Sequence, residues 1–267
     1  MNIVAIVQAR MGSTRLPGKV MMKINNTPMI GLLFERLSKS KKITKIILAT
    51  SISANNNPLE QYINSLNYSV YRGDESNVLD RYYQIAKQEN ADVVVRITGD
   101  CPLIDSSLVD EVIAGFINFN ADYASNRETS TYPDGLDVEV ISIEALEDAH
   151  KKAKEDFQRE HVTPYIINSN TYKKFYLKNS EDLSAERWTV DEPEDFIVVK
   201  NIFNYFHPEV NFSWKKIIEL KKNKLKLFTV NEHLIRNEGA VMSTGQKLWS
   251  RAKRIIPGGN MLLSKRS

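Results

Sequence analysis

Ile3–Val7 is a short run without a single polar side chain. A strand of that kind is covered on both faces, as parallel strands in an α/β sheet are, whereas a half-exposed antiparallel strand alternates. The pattern repeats. Lys45–Ala49 (KIILA), Ser69–Tyr71 and Asp92–Ile97 (DVVVRI) read as further short strands. Between the first two, Pro28–Ser38 carries Met29, Leu32, Leu33 and Leu37 at helical spacing, with Pro28 suited to the first turn. Leu59–Leu66 reads as a second helix. Asn77 is placed to cap a third, running to Glu89 with Val78, Tyr82, Ile85 and Ala86 on one face. Ser106 is the expected cap of the helix after Ile97. Short apolar strands alternating with helices predict an α/β fold with a mostly parallel sheet covered on both faces. Such sheets bind ligands beyond the carboxyl ends of their strands, so the loops after Val7, Ala49, Tyr71 and Ile97 carry the information.

The second half changes character. Leu136–Ile141 (LDVEVI) alternates, which predicts an exposed or antiparallel strand. Helices are expected at Ile143–Lys154, Phe157–Asn168 and Glu194–Phe206, and a strand at Tyr172–Leu177. Trp214–Leu225 is lysine-rich, with Lys215, Lys216, Lys221, Lys222 and Lys224 in or beside it. Without an aromatic stacking platform it reads as a solvated helix face, not as a nucleic-acid surface. The residues divide into a main domain, 1–235, and a basic tail, 236–267.

Composition narrows the class. The 267 residues are 42% hydrophobic and 26% charged, which excludes a disordered chain, a collagen-like fibre and a coiled coil. Lys plus Arg total 36 against 33 Asp plus Glu, a formal charge of +3, too small a surplus to indicate a nucleic-acid partner. No apolar run approaches the roughly 20 residues of a membrane span. The one cysteine, Cys101, suits a reducing compartment. The expected location is the cytoplasm.

The loop after the first strand carries the strongest chemical signal. Gln8-Ala9-Arg10-Met11-Gly12-Ser13-Thr14-Arg15-Leu16-Pro17-Gly18-Lys19 concentrates cations, glycines and hydroxyls. Glycines let backbone N–H groups approach an anion, and Arg and Lys supply charge, so the loop suits a triphosphate. It is not a Walker A loop: five residues separate Gly12 from Gly18, and Val20 stands where a hydroxyl would hold magnesium. Nor does the chain contain a G-x-G-x-x-G fingerprint. The competing reading is a solvated basic turn. Thr98-Gly99-Asp100-Cys101-Pro102-Leu103 is the second signal. Asp100, at the expected crevice, reads either as a magnesium ligand beside phosphate oxygens or as a turn or helix cap. Cys101 reads as a small residue packed at a strand end.

With Thr189-Val190-Asp191-Glu192-Pro193-Glu194-Asp195-Phe196, these segments resemble, in order, the cytidylyltransferases that make CMP-sugars. The branch resembled is that of spore-coat polysaccharide, and the group also holds the acylneuraminate and 3-deoxy-manno-octulosonate enzymes. The resemblance covers residues 1–235. It implies a three-layer GT-A-like (Rossmann-like) nucleotidyltransferase fold, a Mg2+ requirement, CTP and a sugar or sugar-acid substrate, and a homodimer. It implies that Arg10, Arg15 and Lys19 hold the triphosphate and that Asp100 and Asp191 hold the metal. It places Gln8, Ala9, Gly12, Ser13, Thr14, Thr98 and Gly99 around the nucleotide, with Arg72, Gly73 and Asp74 near the nucleoside. Asp137, Glu139 and His161 border the acceptor pocket. Read without the resemblance, Asp191–Asp195 is a capped helix start, Arg72–Asn77 is a turn with a cap, and His161 is a structural histidine. Val20 and Cys101 depart from the octulosonate enzymes, which separates this chain from that particular sugar. Residues 247–267 resemble the start of a glutamate-1-semialdehyde-type aminotransferase, without the lysine that such an enzyme needs. The rival readings are a nucleotidyltransferase acting on a sugar or polyol phosphate, a GT-A glycosyltransferase, for which Asp137-Val138-Glu139 is the nearest metal motif, and a non-catalytic domain of a former aminotransferase fusion.

Overall fold

The computed structural model describes residues 1–128, 131–234 and 236. The chain divides into Met1–Glu232 and His233–Ser267, and the first unit is described below. The aminotransferase-like segment of the tail lies outside the described residues.

Strand β1 (Ile3–Gln8) sits inside the sheet. Its alternate residues enter two different cores. Ile3, Ala5 and Val7 pack with one helical layer and Val4 and Ile6 with the other, which is why the run has no polar side chain. A small hairpin, β2 (Lys23–Ile24) and β3 (Thr27–Pro28), leads into helix α1 (Met29–Leu37). Then come β4 (Lys45–Ser51), α2 (Asn57–Ser65), β5 (Ser69–Gly73), α3 (Val78–Gln88), β6 (Val93–Thr98) and α4 (Ser106–Phe119). Strands β4 and β6 flank β1 in parallel and β5 extends the same edge. The sequence-predicted elements of this half are all present, within two residues at their ends.

One cap differs from expectation. Asp105, not Ser106, opens α4: its Oδ1 accepts from the Ser107 and Leu108 amides, at 2.9 and 3.1 Å. A carboxylate at that position also meets the helix dipole, and its second oxygen accepts the Trp214 amide at 2.9 Å.

The sheet continues through β8 (Glu139–Ser142), β7 (Tyr123–Ser125) and β9 (Lys174–Tyr176), giving the order β5-β4-β1-β6-β8-β7-β9. β8 is antiparallel to both β6 and β7. It is buried throughout, because it lies between two strands, so of the two expectations for LDVEVI the antiparallel one describes it and the exposed one does not. Helix α5 (Ile143–Lys152) follows. The helix expected over 157–168 is two short ones, α6 (Asp156–His161) and α7 (Pro164–Asn168). Val162 breaks it with φ +71, and Pro164 has no N–H with which to continue the ladder. Helices α8 (Pro193–Phe206) and α9 (Trp214–Asn223) build a third core around Trp188, Phe203 and Phe212. Among the described residues, no helix is long and apolar enough to cross a membrane.

Candidate active site

The loop after β1 closes on itself. The Gly18 amide donates to the Met11 carbonyl at 3.0 Å, and the Met11 amide donates to Asn56 Oδ1 at 2.8 Å, fastening the loop to the start of α2. Gly18, at φ +70, turns the chain into the short 3-10 turn Lys19–Met21 and directs Lys19 inward. Gly12, Thr14 and Arg15 stay exposed along the loop's rim, with Ser13 half-buried between them.

Lys19, only 8% exposed, spends all three of its N–H donors. They go to the Val190 carbonyl at 2.7 Å, Asp191 Oδ1 at 2.8 Å and Asp100 Oδ2 at 3.2 Å. Two carboxylates that are 91 residues apart in the chain therefore converge on one ammonium. Asp100 reaches this point because Gly99 lets the ends of β1 and β6 close up. Its amide donates to the Gln8 carbonyl at 2.8 Å, and a Cβ there would lie 2.6 Å from that of Ala9. The Val190 amide donates to the Asp100 carbonyl at 2.8 Å and joins the third motif to the second.

Asp191 has its own support. Asp195 Oδ2 accepts from the amides of Asp191 and Glu192, at 3.0 and 2.9 Å. Asp195 is fully buried, and Arg187 Nε and Asn231 Nδ2 donate to its Oδ1 at 2.8 and 2.9 Å. Glu192 and Asp195 form the capping box of α8, with Pro193 in its first turn. The capped helix start read from the sequence is therefore present, and it holds Asp191 just ahead of the cap with its carboxylate turned to Lys19. Arg187 and Asn231 were not singled out from the sequence. The signal available was Asp195 itself, because a charge on the apolar side of a helix opening needs a cation.

The loop's other cations also meet carboxylates. Arg15 Nη2 lies 2.9 Å from Asp191 Oδ2, and Arg10 Nη1 lies 2.6 Å from Glu75 Oε1. Burial alone would depress the Lys19 ammonium, but Asp100 and then Asp191 more than offset it, and its pKa is raised. Burial would raise Asp100. The Lys19 charge and the Thr98 hydroxyl oppose it and hold the carboxyl down to about 2. Both groups are charged at neutral pH. Cys101 is buried beside these anions and its thiol is pushed well up, so it is no nucleophile.

The expected acceptor-side residues sit under and around the next stretch of sheet. Glu139 corrects its assignment. It is 2% exposed, an interior carboxylate whose two oxygens are taken by three side chains. Tyr123 Oη and Thr163 Oγ1 each donate to its Oε1 at 2.7 Å, and Arg96 pairs with Oε2. Arg96 Nη2 in turn donates to Gln8 Oε1 at 3.4 Å, tying this cluster to the end of β1. Asp137 lies 3.7 Å from Arg127 Nε. His161 ends α6 with one side exposed, its ring 4.6 Å from that of Phe157. The cover it has pushes the imidazole below its ordinary value, and Arg96 and Arg127 push the same way.

Arg72 and Asp74 have local tasks. Arg72 donates to the Ser51 and Ser53 carbonyls at 3.1 and 2.7 Å, and to Asn57 and Glu60 at 2.8 and 2.6 Å, securing the turn after β4. These bonds use four of the five N–H donors of Arg72. Asp74 accepts from the Ser76 and Asn77 amides at 2.8 and 3.0 Å and shapes the turn before α3, whose cap is Asn77 as expected.

The family described as Cytidylyltransferase matches residues 4–234. An uncharacterized protein of Methanocaldococcus jannaschii is 40% identical over 237 residues, covering 88% of this chain and 96% of that one. The spore coat polysaccharide biosynthesis protein SpsF of Bacillus subtilis is 32% identical, covering 82% and 93%. The solved structure of a cytidylyltransferase from Leptospira borgpetersenii superposes with a TM-score of 0.82 at 33% identity, covering 85% and 97%.

Proposed function

The chain belongs to the cytidylyltransferase family, and from that premise we propose that it transfers CMP from CTP to a sugar acid, releases pyrophosphate, and serves the synthesis of a surface polysaccharide. The carrying observation is the convergence of Asp100 and Asp191 on Lys19 at the carboxyl ends of β1 and β6. That is where an open α/β sheet takes its ligand. The polysaccharide context rests on the similarity to SpsF.

Nucleotidyl transfer needs positioning and charge neutralisation more than covalent help. Lys19 and Arg15 already lean over the carboxylates, and a triphosphate entering the loop gives both a stronger anionic partner. The amides of the exposed Gly12, Thr14 and Arg15 offer N–H donors to the same phosphates, while that of Ser13 is held by the Met11 carbonyl at 3.0 Å. Arg10, released from Glu75, adds a third cation to the leaving pyrophosphate.

Asp100 and Asp191 fit a divalent cation. Their oxygens lie 3.2 and 2.8 Å from one ammonium, so they already share the space of a single cation. Hard oxygen donors beside phosphate are what magnesium takes. Among the described residues no cluster of three or more His, Cys, Asp or Glu is placed to hold a metal, so phosphate and water complete the set. Mg2+ bound there supplies charge neutralisation and Lewis acidity to the transfer. Arg127 and His161, above the sealed Glu139, suit an anionic acceptor.

Phosphorus NMR of the chain with CTP, Mg2+ and a panel of keto-sugar acids tests the reading. The expected result is equimolar pyrophosphate and a CMP phosphodiester with at least one acid. Transfer from a nucleotide sugar without pyrophosphate would instead make it a glycosyltransferase.

A further inference from the structure

Arg187, 9% exposed, stands behind the reacting end of the site, where its guanidinium faces three carboxylates. Its Nε and Nη2 donate to Asp195 Oδ1 and Oδ2 at 2.8 and 2.9 Å, a two-pronged pair that fixes the plane of the fork. Its Nη1 lies 3.5 Å from Asp134 Oδ2, and its Nη2 lies 3.7 Å from Asp191 Oδ2. The last distance is too long for a hydrogen bond and short enough for charge attraction.

Asp134 brings a second part of the site with it. The Asp134 amide donates to the Glu186 carbonyl at 2.8 Å, and the Trp188 amide donates to the Asp134 carbonyl at 2.7 Å, one bond on each side of Arg187. Gly135, at φ +103, lets the two backbones press together, since a Cβ there would lie 2.5 Å from the Thr189 nitrogen. Just beyond, the Asn126 side chain donates to the Leu136 carbonyl and accepts from the Val138 amide, both at 2.8 Å. Asp137, half-buried between these bonds, lies 3.7 Å from Arg127, on the side proposed for the acceptor.

In the proposed reaction the triphosphate draws Lys19 and Arg15 away from Asp191. Arg187 is not on that loop and is committed to Asp195, so it stays behind Asp191 throughout.

We propose that Arg187 is a positioning residue that sets Asp191 for the metal and the 134–137 loop for the acceptor in one frame; the proposal rests on the CTP reading above. A guanidinium holds Asp195 by one edge and Asp134 by its remaining nitrogen, whereas an ammonium is a point charge without that fork. Removing the charge of Asp134 leaves the attraction between Arg187 and Asp191 uncontested, so an entering metal meets a stronger competitor.

The test is calorimetric titration of CTP at a series of Mg2+ concentrations, with the thermal midpoint of each protein recorded beside it. Arg187→Lys is expected to raise the Mg2+ concentration for half-maximal CTP binding about tenfold, as when a group orienting a metal ligand is changed. Asp134→Asn leaves Asp195 paired and the Asp191 amide held. It is expected to raise that concentration about threefold, the size of a coupling carried through an intermediate residue. Wild-type Mg2+ dependence in Asp134→Asn, whatever its midpoint, is what a purely structural bracket gives. That result would overturn the proposal and leave the CTP reading intact. A wild type that binds no CTP would overturn both.

Discussion

At the carboxyl end of β1, the Lys19 ammonium lies between Asp100 and Asp191, whose side chains are 28% and 20% exposed. Two strands along, the Glu139 carboxylate lies among Arg96, Tyr123 and Thr163 and is 2% exposed. Both clusters hold one central charge by several partners, and both join β6 to a distant segment. They differ in access to water. The carboxylates around Lys19 keep a solvated side, so an entering anion or cation can trade places with an existing partner. Nothing can reach Glu139 without opening the sheet. A sealed cluster fixes geometry, and an open one conducts chemistry.

The largest expected effect breaks the sealed cluster. Glu139→Ala strands Arg96 in the interior and is expected to cost about 3–5 kcal/mol in urea unfolding. A loss below about 1 kcal/mol would mean that water reaches this cluster too. Lys19→Ala acts on the open one. It is expected to lower kcat/KM by about 10²–10³, on the order of the loss of one preorganised charge-stabilising donor. Its stability loss should be recovered in part by Mg2+, because a divalent cation enters the gap between Asp100 and Asp191, whereas Glu139→Ala gains nothing from the ion. Equal Mg2+ responses in the two variants would erase the distinction.

A smaller effect separates the clusters by pH. Burial would raise the Glu139 carboxyl, but Arg96 and Arg127 bring it below its ordinary 4.5. Its contribution is then fully present above pH 4.5 and is lost as pH falls through the lower folded value. Glu139→Gln, which removes that titration, is expected to flatten the fall in thermal midpoint below pH 4.5. The smallest effect concerns Arg72. Arg72→Ala is expected to cost about 1 kcal/mol of stability, typical of lost hydrogen bonds, with CTP affinity unchanged. A large loss of affinity with stability intact would return Arg72 to the nucleoside.

What the sequence disclosed follows the same division. β1, β4 and β6 were legible because strands buried on both faces must be apolar. The loop Gln8–Lys19 was legible because its glycines and cations are local in the chain. Asp100 and Asp191 could each be named, but not their meeting on Lys19, which joins residues 91 positions apart. β7 is three residues long and is a strand only because β8 and β9 flank it. The break at Val162 rests on a positive φ that no β-branched residue advertises. Glu139 reads as a surface acid in an alternating strand, and only its three partners reveal that it is interior.

The central claim is that the open cluster is the CTP site. Calorimetric titration of CTP with Mg2+ into wild type and into Asp191→Asn tests it most directly. The account predicts one CTP per chain in wild type, a Mg2+-dependent affinity, and at least a tenfold weakening in the variant with the fold preserved. Equal, Mg2+-independent binding by both proteins would contradict it.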